Sequence, residues 1–170
     1  LSVHDTFEFA KTFGPNIFLY KDLFFGNIGG AIGETSALLI LIGGLLLLFT
    51  KVIDWRIPIS YLGTVTVLCL LTGNDILFNL LSGGLMLGAW FMATDYVTSP
   101  ITKRGKVIFG IGCGLLTFVI RIYAAAPEGV CFSILLMNTA VPLIERYTKP
   151  RVYGKNYSGF IHKIIGGKDE

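Results

Sequence analysis

Residues 82–95 read SGGLMLGAWFMATD, an apolar run that contains three glycines and ends in the carboxylate of Asp95. An apolar segment of this length has to be surrounded by lipid or by a large protein core, whereas the acid at its end requires water, a cation or a partner. Of the 170 residues, 53% are hydrophobic and 15% are charged, and the mean hydropathy is +0.69. Soluble domains carry about a quarter charged residues. The sequence therefore predicts an integral membrane protein.

The charged residues are clustered, which leaves five stretches almost free of charge. We predict an all-α fold with five transmembrane helices, spans A to E, at residues 32–49, 57–71, 76–93, 106–123 and 128–145. Stretches of roughly 18 residues, at about 1.5 Å per residue, cross most of a hydrocarbon core. Pro142 lies inside span E and predicts a break or kink in its last turn. The pairs Gly84/Gly88 and Gly110/Gly114 predict close packing of helices.

The segments on either side of these spans complete the domain organisation. Residues 1–31 mix aromatic and charged side chains before a glycine-rich end, and they predict an outer amphipathic segment that lies in the membrane interface. Residues 32–146 form the five-helix domain, and residues 147–170 form a basic tail. The chain begins with Leu1 rather than methionine, from which we expect that something precedes it in the full protein.

The distribution of basic residues predicts the orientation of the spans. One side holds Lys11, Lys21 and Arg121, and the other side holds Lys51, Arg56, Lys103, Arg104, Lys106, Arg146, Lys149, Arg151, Lys155, Lys163 and Lys168. The positive-inside rule places the second group in the cytoplasm and residues 1–31 outside the inner (plasma) membrane. The basic residues thus act as topology signals, and no nucleic-acid partner is needed to explain them.

Cysteine and histidine offer no metal or catalytic site. Cys69, Cys113 and Cys131 lie singly within predicted spans, and we expect them to be small buried residues. His4 and His162 lie at opposite ends of the chain and on opposite predicted sides. Neither a histidine-based triad nor a metal cluster can be built from them, so we expect no metal and no catalytic side chain.

A glycine-rich segment, GNIGGAIGETS at residues 26–36, precedes span A. It allows close backbone approach and presents free N–H groups at the positive end of a helix, where an anion or a polar ring would be stabilised. The alternative is that the glycines only let helices pack and that Glu34 complements the helix dipole. Both interpretations stay open on the sequence.

Three carboxylates lie at predicted membrane boundaries, Glu34 on the outer side and Asp95 and Glu145 on the inner side. Acids at such positions extend towards water, pair with a base such as Arg104 or Arg146, or take part in a cation path. The sequence leaves pairing and cation binding as alternatives for Asp95 and Glu145.

Two polar features lie at predicted outer boundaries. Arg121, at the outer end of span D, is either a lipid-headgroup anchor or the partner of an anion, and its position favours the anchor. The turn Gly73-Asn74-Asp75 precedes span C, and its simplest role is to cap that helix.

Three motifs carry a family resemblance. Residues 26–38 (GNIGGAIGETSAL), 84–95 (GLMLGAWFMATD) and 136–148 (LMNTAVPLIERYT) closely resemble the D subunit of the Rnf complex. More distantly, they are similar to the B subunit of the sodium-translocating NADH:quinone reductase. The resemblance covers almost the whole chain from residue 25 to residue 154.

This resemblance implies a membrane subunit of an ion-pumping complex that couples electron transfer between NADH and ferredoxin to sodium or proton transport. It implies a fold of two inverted five-helix repeats, similar to urea transporters, of which this chain matches the second. The implied partners are the other subunits of the complex and the lipid bilayer. A channel or transporter, and a non-redox scaffold subunit, are the alternatives.

Members of the family attach FMN to the threonine of a Ser-Gly-Ala-Thr motif, which this chain lacks. By the resemblance, that threonine falls just before Leu1, on the outer side. We therefore expect the flavin to be bordered by Gly29, Gly30, Gly33, Glu34, Thr35, Ser36, Asn74 and Arg121. Because the resembling subunits carry acids at the same points, Asp95 and Glu145 are assigned to a cation path on the cytoplasmic side.

Overall fold

Every regular element in the described part of the chain is helical. The computed structural model describes residues 17–26, 36–82, 84–124 and 129–148. The α-helices are α1 (Ile17–Phe25), α2 (Ala37–Phe49), α3 (Arg56–Thr72), α4 (Ile76–Leu81), α5 (Leu85–Leu87), α6 (Lys103–Ala124) and α7 (Gly129–Thr148), and a π-helical turn covers Gly88–Met92. The predicted all-α fold is confirmed for these residues.

Two of these helices, α6 and α7, are long and apolar enough to cross a membrane. The helices α2 and α3 are shorter apolar helices, and large apolar side chains on α2, such as Leu46 and Phe49, are mostly exposed. Such apolar surface suits lipid or another membrane segment rather than water. The chain is a membrane protein, while the five spans and the inverted repeat stay predictions.

The core is formed where α3, α6 and α7 meet. The helices α3 and α6 run parallel, and glycines of α6 lie directly against α3. A Cβ atom added to Gly114 would lie 2.8 Å from the Cβ of Thr64, and one added to Gly110 would collide with Ser60. The helix α7 returns antiparallel along α6, with Met137 filling the space beside Gly112. The predicted packing role of Gly110 and Gly114 is confirmed.

Span C is not the continuous helix that its hydropathy predicts. The helix α4 ends at Leu81, and the chain becomes helical again only at Leu85. Gly84 has φ of 66° and ψ of 11°, the left-handed conformation that glycine adopts without strain. Of the pair predicted to pack helices, Gly88 does so, against Val130 and Ile134 of α7, whereas Gly84 forms part of the break.

The second half of span C packs against α2. A Cβ atom on Gly44 would lie 2.6 Å from the indole ring of Trp90, and one on Gly43 would lie 3.1 Å from the ring of Phe91. The two glycines of α2 therefore make room for the two aromatic rings of the π-helical turn. The Trp90 side chain is buried, and its Nε1 has no hydrogen-bond partner among the described residues.

The helix ends differ in detail from the predicted spans. Gly73 ends α3 with φ of 71°, and Asp75 is the N-cap of α4 without a side-chain hydrogen bond, so the predicted capping bond is not found. Of the break or kink predicted at Pro142, the break does not occur, because α7 continues past Pro142 to Thr148. Cys69 and Cys113 are buried as predicted, but Cys131 is exposed.

We call the end of the bundle that holds Ser36, Thr72 and the last turn of α6 the outer end, after the predicted orientation. The opposite end, which holds the α2–α3 turn and residues 93–102, is the inner end. Of the predicted interfacial segment the structure describes residues 17–26, and the predicted tail beyond Thr148 lies outside the described residues.

Candidate functional site

At the outer end, Arg121 closes the break in span C. Its Nη1 donates to the carbonyl of Asn79 at 2.7 Å, and its Nη2 donates to the carbonyl of Ser82 at 2.9 Å. Where a helix stops inside a membrane, such carbonyls lose their helical partners and require others. The guanidinium group supplies the hydrogen-bond donors for these two carbonyls, and its positive charge is stabilised at the negative C-terminal end of the short helix α4.

Arg121 is only 7% exposed. A lipid-headgroup anchor extends into the polar interface, so the anchoring role that its sequence position favours is wrong for this conformation. The Ser82 hydroxyl, next to this contact, is buried and has no hydrogen-bond partner among the described residues. The break is thus a buried polar centre that is held by one cation.

The other predicted flavin residues at the outer end are partly described. Ser36 is the N-cap of α2, and its hydroxyl oxygen accepts a hydrogen bond from the Leu39 N–H at 3.4 Å. Asn74 is exposed, and its side-chain amide donates to the Thr72 hydroxyl at 3.0 Å. The remaining predicted residues, Gly29, Gly30, Gly33, Glu34 and Thr35, lie outside the described residues.

In the middle of the core, three hydroxyls from three helices meet. Tyr61 of α3 lies 2.5 Å from Thr117 of α6, and Thr117 lies 2.6 Å from Ser133 of α7. Ser133 also donates to the carbonyl of Val130 at 2.7 Å, and all three side chains are fully buried. The sequence analysis missed this cluster, since each hydroxyl is an isolated residue in its own span.

At the inner end, the two predicted ion-path acids meet at one loop, residues 93–102, which contains Asp95 and bonds to Glu145. Asp95 is exposed and accepts a hydrogen bond from the Thr98 hydroxyl at 3.3 Å. Glu145 of α7 accepts from the Ile101 N–H at 3.0 Å. Among the described residues neither acid forms an ion pair, so the alternative in which Arg104 or Arg146 neutralises them is not found.

A different acid carries the ion pairs of the inner end. Asp54, in the turn between α2 and α3, lies 2.9 Å from Lys106 and 3.6 Å from Arg56. Burial raises the pKa of the Asp54 carboxyl, but the hydrogen bond and charge of Lys106, together with Arg56, lower that pKa below its ordinary value. The sequence analysis assigned only topological roles to Lys106 and Arg56, because their spacing around Asp54 did not indicate that they would meet.

No group of three or more potential metal ligands occurs among the described residues. The described geometry therefore consists of a cation-held helix break at the outer end, a closed hydroxyl cluster in the core, and, at the inner end, one loop that carries Asp95 and bonds to Glu145 of α7.

Comparison with known proteins gives this geometry its context. Residues 2–154 match the model of the NQR2, RnfD, RnfE family. The D subunit of the Na(+)-translocating ferredoxin:NAD(+) oxidoreductase complex of Acetobacterium woodii is 57% identical over 135 residues, which cover 78% of this chain and 42% of that protein. The D subunit of the proton-translocating ferredoxin:NAD(+) oxidoreductase complex of Clostridium ljungdahlii is 47% identical over 154 residues, or 86% of this chain and 46% of that protein.

A third relative is the D subunit of the ion-translocating oxidoreductase complex of Stutzerimonas stutzeri. It is 54% identical over 144 residues, which cover 80% of this chain and 40% of that protein. The chain thus spans less than half the length of the curated relatives that it matches.

Proposed function

We propose a function from one premise, that the chain belongs to the NQR2, RnfD, RnfE family. We infer that it is part of the D subunit, a membrane component, of an ion-translocating ferredoxin:NAD(+) oxidoreductase complex. The observation that carries this proposal is the identity of 47% to 57% with three proteins named as the D subunit of such complexes. Its partners are then the other subunits of that complex, and its location is the inner (plasma) membrane with the C-terminal tail in the cytoplasm.

The test of this proposal is purification. An affinity tag on the full-length protein, expressed in its own cells, is expected to retain further membrane subunits and ferredoxin:NAD(+) oxidoreductase activity. A full-length protein that purifies alone from gently solubilised membranes, with no such activity, overturns the proposal and favours the independent channel or transporter.

The proposed cofactor is FMN, carried by the full-length subunit near the outer end. Support comes from the family resemblance and from two polar residues at this end, Ser36 and Asn74, which fit a hydrogen-bonding border for a flavin. Arg121 fits less well as a direct ligand, because its Nη1 and Nη2 already bond to backbone carbonyls. When bound, FMN supplies one- and two-electron redox chemistry. The protein side chains contribute binding and orientation.

Flavin fluorescence of the full-length protein on a denaturing gel tests the cofactor. A fluorescent band is expected, because a covalently attached flavin survives denaturation. A band without fluorescence, in protein that assembles normally, refutes covalent FMN and supports the non-redox scaffold. The variant Asn74→Ala then tests whether Asn74 belongs to the hydrogen-bonding border of the flavin. Asn138→Ala in α7, away from the outer end, is its control.

For ion movement, we propose that Asp95 and Glu145 belong to a cation path at the inner end. Both carboxylates contact one loop, and neither is neutralised by a base among the described residues. An acid at a membrane boundary without a basic partner attracts a cation. Sodium and proton both occur in the names of relatives, and this part of the proposal covers either ion.

The matched variants are Asp95→Asn and Glu145→Gln, which remove the charge but keep an oxygen to accept each hydrogen bond. Asp75→Asn, an exposed acid at the outer end, is the control. Both test variants are expected to weaken the cation dependence of the assembled complex in membrane vesicles, while the control does not. Unchanged cation dependence in both variants would reduce the two acids to structural hydrogen-bond acceptors.

A further inference from the structure

A cleft of about 350 Å³ lies at the inner end, and one of its sides is formed by Thr94, Tyr96 and Ser99 of the loop that carries Asp95. Its apolar wall includes Leu48 and Val52 at the end of α2, and its polar side includes Lys51 and Lys106. Asp54 is the only acidic residue in its described lining, so the two lysines leave a formal charge of +1. A cleft with an apolar wall and a surplus of positive charge suits an amphipathic anion.

The position of Lys51 is unusual for the backbone as well as for the charge. Its φ is 57°, the left-handed conformation, and it is the only non-glycine residue with positive φ among the described residues. It follows the C-cap of α2, where the N–H groups of Lys51 and Val52 bond to the carbonyls of Leu48 and Leu47. Glycine is the usual residue at such a position, because a side chain there adds strain. Strained residues of this kind cluster at binding sites.

Aromatic residues place this cleft at the level of lipid headgroups. Trp55 and Tyr96 both line it and are 52% and 73% exposed. Tryptophan and tyrosine in membrane proteins concentrate where the hydrocarbon meets water. The guanidinium of Arg56 lies 5.5 Å from the centre of the Trp55 ring, which adds a third cation beside the cleft.

From these observations we propose that the cleft binds the phosphate headgroup of an anionic phospholipid, with Lys51 as its principal contact and the apolar wall along the acyl chains. Lys106 contributes as well. Its ammonium bonds to Asp54 at 2.9 Å, and an ammonium has three donors, so two remain for a phosphate. The inference depends on the membrane location of the chain and not on the proposed redox function.

The experiment uses the full-length subunit in its complex, stripped of lipid and titrated with short-chain phosphatidylglycerol or with phosphatidylcholine of the same chain length. Native mass spectrometry counts the bound lipids. Lys51→Gln removes the charge. Lys51→Gly removes the side chain and also the backbone strain, so this variant folds at least as well as the parent. Lys103→Gln, an exposed lysine at the start of α6 outside the cleft lining, is the matched control.

We expect both Lys51 variants to bind phosphatidylglycerol about fivefold more weakly, since one basic residue near a membrane surface contributes about that much. Lys103→Gln and all phosphatidylcholine titrations should be unchanged. Equal loss in the Lys51 and Lys103 variants overturns the site, because it indicates general attraction to basic surface. Unchanged binding in Lys51→Gly also overturns it, and displacement of the lipid by millimolar inorganic phosphate assigns the cleft to a small anion instead.

Discussion

The substitution Arg121→Met tests whether one cation holds the broken span together. In the structure the guanidinium donates to two backbone carbonyls, at 2.7 Å and 2.9 Å, and is 7% exposed. Methionine fills a similar length without a donor. The variant therefore leaves the carbonyls of Asn79 and Ser82 without these partners, in a place where water does not replace them.

The size of the effect follows from the two bonds. A hydrogen bond from a charged donor contributes about 1.5 to 3 kcal/mol, so the loss of both is expected to lower the free energy of unfolding by about 3 to 6 kcal/mol. Arg121→Lys keeps the charge and has three N–H donors but lacks the planar fork that reaches both carbonyls, so it should recover about half of that loss. The control Lys103→Met removes an exposed base at the opposite end of α6 and should change the stability by less than about 0.5 kcal/mol.

The assay is unfolding of the full-length protein in mild detergent, titrated with a denaturing detergent and followed by tryptophan fluorescence. Cleavage by proteinase K, which does not require a basic residue, provides a second readout, since loss of the bonds should expose the backbone next to Ser82. If Arg121→Met unfolds within about 0.5 kcal/mol of the parent, the guanidinium does not stabilise the break, and other contacts must hold span C in its broken form.

Three further predictions concern packing, the hydroxyl cluster and the inner ion pairs. Gly44→Ala should lower the free energy of unfolding by about 1 to 3 kcal/mol, because the new Cβ lies 2.6 Å from the Trp90 ring, whereas the control Gly63→Ala, with nothing within 4 Å, should stabilise α3 slightly. Tyr61→Phe should lower the free energy of unfolding by about 1 kcal/mol in the same assay, because the buried hydrogen bonds of the Tyr61 hydroxyl with Thr117 and Ser133 are lost; no change would contradict the cluster. The folded-state pKa of Asp54 is lowered, so its contribution is present above the ordinary carboxyl pKa of about 4 and is lost as the pH falls through the lower folded value. The stability difference between the parent and Asp54→Asn should therefore shrink below about pH 4, and a difference that grows on acidification would show that the ionised carboxylate does not stabilise the fold.

Hydropathy located most of the helices, because a helix that faces lipid is built from a long run of apolar residues without charges. The span predicted at residues 57–71 corresponds to the helix Arg56–Thr72, and the span predicted at residues 106–123 corresponds to the helix Lys103–Ala124. The spacing of Gly110 and Gly114 also predicted their packing, since small residues four apart lie on one face of a helix. These properties depend on neighbours within a turn or two.

The break in span C depends on a distant residue and was therefore not predictable from its own segment. Gly84 and Gly88 look alike in sequence, yet only Gly84 is left-handed. What allows the helix to stop at Leu81 is a cation 42 residues beyond Asn79 in the chain. The hydroxyl cluster was not predictable for the same reason, because it joins residues that are far apart in the chain: Tyr61 and Ser133 are separated by 72 residues.

The closed core limits where the proposed cation path can run. Leu85, Ala89 and Phe109 are fully buried in one core cluster, and the hydroxyls in this core bond to one another. A cation that leaves water requires several oxygen ligands, and the described part of this core, apolar around its closed hydroxyl cluster, does not supply them. By contrast, Asp95 lies on the loop that joins span C to α6, and Glu145 of α7 contacts that loop from the side. The proposed path, if it uses both acids, therefore follows the surface of this helical bundle rather than its described core.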